Sequence, residues 1–279
     1  MKLSAFTAIN DPEKREDPWM AAIASALNWA DEVVVVDGSS PLIHEENKKM
    51  FPAVKWIHYE WPKEWGWGQL VKHYNLALSQ CTGDWAIRFD ADWVFSESWK
   101  EEAHIDFPTI DQKKRVATLH KISAVLSKRF YAKGRMPLAI NRAFKDTCFG
   151  AGEVYTDLFT PIVPAGLDCG IPKGRLVKPE EMAQTSLYFY NYDHTFKTEI
   201  NVRKSFYAFS MAHKKHFGET IWGETEDESF EKFLDMMRKR LSKCTMNLKH
   251  HIQPTFIHPY LDRLTPAQFG YDGWGKMGL

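Results

Sequence analysis

The sequence predicts an α/β fold: a mostly parallel sheet with helices on both faces, followed by a helical C-terminal section. Three observations carry this. EVVVVD, at 32–37, is an unbroken β-branched run, the pattern of a parallel strand buried on both sides. Strand-like and helix-like segments alternate over the first 95 residues at the spacing of βαβ units. Asn10, Asp37, Asp90 and Asp92 stand at the carboxyl ends of those strands, where open α/β sheets bind ligands.

The elements follow in order. KLSAFTAI at 2–9 reads as a strand that Asn10-Asp11-Pro12 end. PWMAAIASALNWA at 18–30 reads as a helix with Pro18 in its first turn and few charges, so both faces should be covered. After the 32–38 strand, Ser39-Ser40-Pro41 break the chain, and a short polar helix runs to about Met50. VKWIHY at 54–59 is a third strand, a helix follows at 68–80, and Thr82-Gly83 turn into a strand at 84–89. RVATLHKISAVL, MPLAINRAF and TSLYFYNYD (185–193) read as later strands. Helices are expected at about 196–217 and 226–244, the second with Phe230, Phe233, Leu234, Met237, Leu241 and Cys244 at helical spacing. This organisation divides into an α/β domain at 1–190, of two halves (1–95 and 96–190), and a helical extension at 191–279 packed on it.

Bulk composition bounds the function classes. With 36 Lys plus Arg against 36 Asp plus Glu, net charge favours no polyanionic partner, and any such argument must rest on local clustering. Four cysteines lie far apart without zinc spacing, as expected of reduced thiols in a cytoplasmic protein. No stretch approaches the run of about 20 apolar residues that a membrane span requires. The eleven tryptophans admit two readings, core or a flat apolar wall for a sugar or base.

DWAIRFDADWVF, at 84–95, places Asp90 and Asp92 where a core strand runs out. A carboxylate leaving water costs several kcal/mol unless paired, hydrogen-bonded or metal-bound. These aspartates therefore belong to a site, or else cap a turn. SALNWADEVVVVDGSS followed by NLALSQCTGDWAIRFDADWVF resembles the nucleotide-diphospho-sugar glycosyltransferases of family 2, with the GT-A (Rossmann-like) fold. INRAFKDTCFGAGEVYTDLF and YNYDHTFKTEINVRKSFYA resemble later segments of that family. The resemblance implies a metal-dependent, inverting transfer of a sugar from a nucleotide diphosphate, UDP by family weight, to a hydroxyl. It implies that 1–190 is a catalytic domain whose first half binds a nucleotide and whose second half meets the acceptor. It also implies Mn2+ or Mg2+ on Asp92, with Asp90 reaching the ribose or a metal-bound water. It places Asp37 near the nucleobase or ribose and gives Asn10 similar standing. Gln69, Lys72 and Asn75 lie on the preceding helix and could face the nucleotide. Asp157 and Glu153 are the candidates for the base, with Asp157 favoured, and His194 or His258 for a further metal ligand.

The acceptor is less legible. Lys197, Arg203, Lys204, Lys214 and Lys215 mix with aromatics, and RKRLSKCTMNLKHH at 238–251 contains no acid. Such patches can hold a phosphate backbone and stack bases, or form a solvated face balanced by GETEDESFE. Small enzymes of this appearance also resemble glycosyltransferases of bacteriophage genomes, so DNA carrying a hydroxymethylated pyrimidine is one expected acceptor. A glycan, a lipopolysaccharide core, a lipid or a protein are the others. A sugar-nucleotide pyrophosphorylase would need a Gly-rich basic loop after the first strand, which FTAINDPEKRED lacks. A non-catalytic nucleic-acid-binding protein would leave Asp37, Asp90 and Asp92 unexplained.

Overall fold

The computed structural model describes residues 1–62, 66, 68–150, 160–168 and 171–271. The chain begins β1 (Leu3–Ile9), α1 (Trp19–Trp29), β2 (Glu32–Asp37), α2 (Pro41–Met50), β3 (Lys55–His58), α3 (Gln69–Ser79), β4 (Trp85–Arg88), β5 (Trp93–Phe95) and α4 (Trp99–Thr109). It continues through β6 (Val116–Ala124), β7 (Arg129–Asn141), β8 (Cys148–Gly150), β9 (Thr160–Asp168), β10 (Ile171–Leu176) and β11 (Met182–Asn191). Then come α5 (Glu199–Phe217), α6 (Glu226–Leu241), β12 (Met246–Asn247) and α7 (His258–Leu261).

The main sheet runs β3-β2-β1-β4-β7-β6-β11-β5, with β12 paired to β7. The first four strands are mutually parallel, as expected, and 32–37 and 85–88 share one sheet through β1. From β7 onward the sheet is mixed. This is an α/β fold, parallel in its first half and mixed in its second. In β2 the side chains alternate: Val33 and Val35 pack with Trp19, Trp29, Trp85 and Trp99 under α1 and α4, while Val34 and Val36 pack with Phe6, Tyr74 and Leu78 under α3. Two apolar layers therefore clamp a strand with no polar face, as the continuous run required. Trp19, Trp29, Trp85, Trp93 and Trp99 are buried in this core, so for these five rings the core reading holds.

The expected helices and strands are present with end shifts of a few residues, except that the strand expected at MPLAINRAF begins seven residues earlier, at Arg129, and ends at Asn141. Three features were not anticipated. Helix α4 carries Pro108 in its last turn, and Pro161, Pro164 and Pro172 lie within the strands of the separate sheet β8-β9-β10, so propensity argued against both. Strand β5 is only three residues long and is set by its pairing with β11. The C-terminal helices pack on the far ends of β6 and β7: Val125, Leu126 and Tyr131 meet Val202, Phe230, Phe233 and Met237. Thr225 caps α6 by accepting from the Glu228 amide at 3.2 Å, with acids in the first turn and Arg238, Lys239 and Arg240 in the last, as the helix dipole favours. No helix among the described residues is long and apolar enough to cross a membrane.

Candidate active site

Parallel pairing brings Ile9 level with Asp37, and Phe6 level with Arg88, so the carboxyl ends of β1, β2 and β4 share one rim. Arg88 ends β4 inside the protein, 4% exposed. An arginine there needs a partner, and its guanidinium donates to Asp90 Oδ1 at 2.9 Å and Oδ2 at 3.0 Å. It also lies over the Tyr74 ring at 4.4 Å, and the Tyr74 hydroxyl donates to Asp90 Oδ1 at 2.5 Å. Asp90 is thus fixed from two sides and remains partly open to solvent.

Asp92 is placed differently. Its carboxylate makes no hydrogen bond with any described residue. Burial, then the charges of Asp193, Asp17 and Asp90, push its carboxyl well above the usual range, with Lys197 opposing. Antiparallel pairing of β5 with β11 sets Asn191 opposite Trp93, and the Tyr192 amide donates to the Asp92 carbonyl at 2.9 Å. That pairing carries Asp193 and His194 to the end of β4, some hundred residues away in sequence. Lys121 reaches the same cluster from β6, over the Trp93 ring at 5.2 Å; burial pulls its ammonium down while Asp193 and Asp92 pull it up.

The surrounding acids already have partners. Asp17 is 5% exposed and holds Lys197 Nζ at 2.5 Å and Arg15 Nε at 3.0 Å. Burial raises its carboxyl, but the two cations outweigh that and hold it below the usual range. Asp193 lies 2.8 Å from His194 Nε2. His194 sits against Phe206 and Phe233, and burial pushes the imidazole down, so at neutral pH it is a neutral donor to Asp193. Asp193 is kept below the usual range despite its burial, with His194 and Lys197 on its charged form.

The remaining expected residues fall in three places. Asp37 is wholly buried: Oδ1 accepts from the Ser39 amide at 2.9 Å, and Oδ2 takes Asn47 at 3.0 Å and faces His44 at 3.3 Å. Asn10 lies half-buried on the rim next to it, where the Asp11 amide donates to Ser39 Oγ. Gln69 faces His73 in the first turn of α3, Lys72 is exposed on that helix, and Asn75 is bonded to both backbone groups of Phe149. His258 faces the Gln253 carbonyl and stacks on His250, apart from the Asp92 cluster. Glu153 and Asp157 lie outside the described residues.

Sequence reasoning missed Asp17, Arg88, Lys121 and Asp193, and it placed Lys197 on a solvent-facing basic patch. Lys197 is instead buried against Asp17. Only Arg88 had a local signal, a cation inside the apolar run WAIRF two residues before Asp90.

Among the described residues no three His, Cys, Asp or Glu side chains converge as a metal cluster. One free carboxylate, crowded by three other acids, suits a hard divalent ion that takes its remaining oxygens from phosphate and water.

Residues 15–104 match the sequence profile of glycosyl transferase family 2. The match covers about a third of the chain. The matched segment contains Asp17, Asp37, Arg88, Asp90 and Asp92, and runs from the loop before α1 into α4. No curated protein matches the sequence. Among solved structures, the chain is similar to S. aureus TarS, at 14% identity over 88% of this chain and with a TM-score of 0.42, and it spans 44% of that protein's length. It is similar to TarS 1-349 in complex with UDP-GlcNAc at 13% identity, over 95% of this chain and 82% of that one, TM-score 0.43. Glucosyl-3-phosphoglycerate synthase from Mycobacterium tuberculosis, in complex with Mn2+, UDP and phosphoglyceric acid, is similar at 14% identity over 43% of each chain, TM-score 0.30.

Proposed function

We propose that this glycosyltransferase moves a sugar from a nucleoside diphosphate, UDP in the first instance, to an acceptor hydroxyl with inversion at the anomeric carbon. The observation that carries the reading is Asp92: a carboxylate without a hydrogen-bond partner among the described residues, crowded by Asp17, Asp90 and Asp193, at the carboxyl end of a parallel strand in the segment that matches the family 2 profile. Asp92 would hold Mn2+ or Mg2+, and Asp90, fixed by Arg88 and Tyr74, would accept from a ribose hydroxyl. The ion supplies charge neutralisation of the diphosphate. Lys121 adds a second positive charge beside the departing oxygens. Asp37, whose acceptors are occupied, holds the Ser39 turn beside Asn10 and so shapes the rim that meets the nucleoside.

In the transfer, the acceptor oxygen bonds to the anomeric carbon as the bond from that carbon to the diphosphate oxygen breaks. The acceptor proton passes to a carboxylate on the opposite face of the sugar, for which Asp157 and then Glu153 are the assigned candidates. For the acceptor, DNA with a hydroxymethylated pyrimidine has lost part of its motivation, because Lys197, Arg203 and Lys214 are paired with Asp17, Glu199 and Glu224.

The test is thermal unfolding with UDP, Mn2+, and both together. A ligand at a hundred times its Kd stabilises by about 2.7 kcal/mol. Over 279 residues the unfolding entropy is about 0.6 kcal/mol per degree, so Tm should rise by about 4–5 °C with both ligands and much less with either alone. No rise with UDP or any other nucleoside diphosphate, with or without metal, rules the proposal out.

A further inference from the structure

A cavity of about 540 Å³ lies between β7, the segment leading into α6, and α6 itself. Its polar lining is one-sided: Lys133, Lys232, Lys239, Arg240 and Lys243 face it, against one carboxylate, Asp235. Asp235 is already bonded to Arg238 at 2.8 Å. None of the five cationic side chains forms an ion pair or hydrogen bond with a described residue. The contrast with the neighbouring segment is direct, since Lys197 just before α5 and Arg203 and Lys214 on it each have a carboxylate partner. In a chain whose charges balance overall, five unpaired cations around one concavity repel one another, and an anion bound among them would offset that repulsion.

Two further features say what kind of anion. Trp222 and Met236 supply an apolar wall, and Trp222 is held edge-on to Phe206 at 4.9 Å. A flat ring beside cations suits a phosphate attached to a sugar or base. The volume lies within the range of small-molecule sites, about 300–1,000 Å³, and is a concavity for one unit, not a track for a duplex. The cavity also adjoins the Asp92 cluster. Phe206 bridges the two, its ring centroid 4.9 Å from that of Trp222 in the cavity wall and 5.3 Å from that of His194.

We propose that this cavity binds a phosphate group of the acceptor, holding one phosphorylated unit of sugar or nucleotide size beside the transfer site. The word acceptor rests on the glycosyltransferase reading above; the anion site stands on its own lining. The shared chemistry is a phosphate oxyanion, carried either by a small phosphorylated molecule or by one link of a phosphodiester chain.

The experiment is calorimetric titration of the full chain, with UDP and Mn2+ present in excess, using glycerol phosphate and an eight-nucleotide single-stranded oligothymidylate as probes. Lys239 and Lys243 are both exposed, so the K239Q/K243Q variant should fold. Losing two charge-assisted contacts should weaken binding of whichever probe binds by about tenfold or more. Lys214→Gln, at a lysine paired with Glu224 and outside the lining, should bind like wild type. Oligothymidylate binding more tightly, with a steeper salt dependence, assigns the phosphate to a chain, whereas comparable affinity assigns a small acceptor; either result supports the site. Failure of both probes to bind, or binding that K239Q/K243Q leaves within about twofold, overturns it. The UDP-Mn2+ stabilisation is read separately. If it is present without phosphate binding, only the cavity inference falls; if phosphate binds without it, the donor reading falls and the anion site remains.

Discussion

Changing Lys197 to Met tests whether the charges around Asp92 are held as the structure shows. Lys197 and Asp17 are 6% and 5% exposed and meet at 2.5 Å. Removing one partner of a buried pair costs about 3–5 kcal/mol, because the other charge is left without compensation. Arg15 still donates to Asp17 at 3.0 Å, so the lower end, about 3 kcal/mol, is the appropriate figure. With an unfolding entropy of about 0.6 kcal/mol per degree for 279 residues, Tm should fall by about 5 °C at neutral pH. The double variant D17N/K197M removes both charges and should recover at least half of the loss, since Arg15 is half-exposed and rehydrates. The pH dependence has a definite sign. Asp17 is held below its unfolded value, so its contribution is present above the unfolded pKa of about 3.9 and is lost as pH falls through the folded value. K197M raises that folded value, so the variant should begin to lose stability at higher pH than wild type. Differential scanning calorimetry from pH 4 to 8 measures all of this. A K197M protein melting within a degree of wild type, or a double variant as unstable as both single changes combined, refutes the reasoning.

The other predictions concern the rim. Asp92→Asn should abolish transfer and leave the ligand-free protein as stable or more so. The Asp92 carboxyl is raised in the fold, so wild type loses stability as pH climbs from the unfolded value of about 3.9 through the folded one. The variant's Tm advantage should therefore be absent near pH 4 and grow toward neutrality, and a wild-type transfer rate in D92N would remove Asp92 from the site. Asn75→Ala should destabilise by about 1–3 kcal/mol, because Asn75 gives and takes hydrogen bonds with the Phe149 backbone at 2.7 and 2.9 Å. Its assay is thermal unfolding, and an unchanged Tm would show that β8 does not depend on that side chain.

The sequence by itself determined the parallel half of the protein. β2 could only be a strand covered on both faces, because Val33 to Val36 offer no polar side, and the βαβ spacing then fixed which strand ends share a rim. Asp90 and Asp92 were legible for the same reason: a carboxylate at the end of an apolar strand needs an explanation that the core cannot give. What surrounds them was decided by tertiary structure alone. Asp17 sits in the loop before α1, Lys121 in β6, and Asp193 after β11, and nothing local in EKREDPW or YNYDH distinguishes them from ordinary polar turns. They meet because β5 pairs with the far end of β11 and because a buried Lys197 finds Asp17 across the fold. The basic C-terminal segments divided on the same ground. Lys197, Arg203 and Lys214 have carboxylate partners, while Lys239, Arg240 and Lys243 line a cavity and have none among the described residues. Composition counts those cations alike, since the energy of a charge depends on what lies within a few ångströms of it, and that distance belongs to the fold.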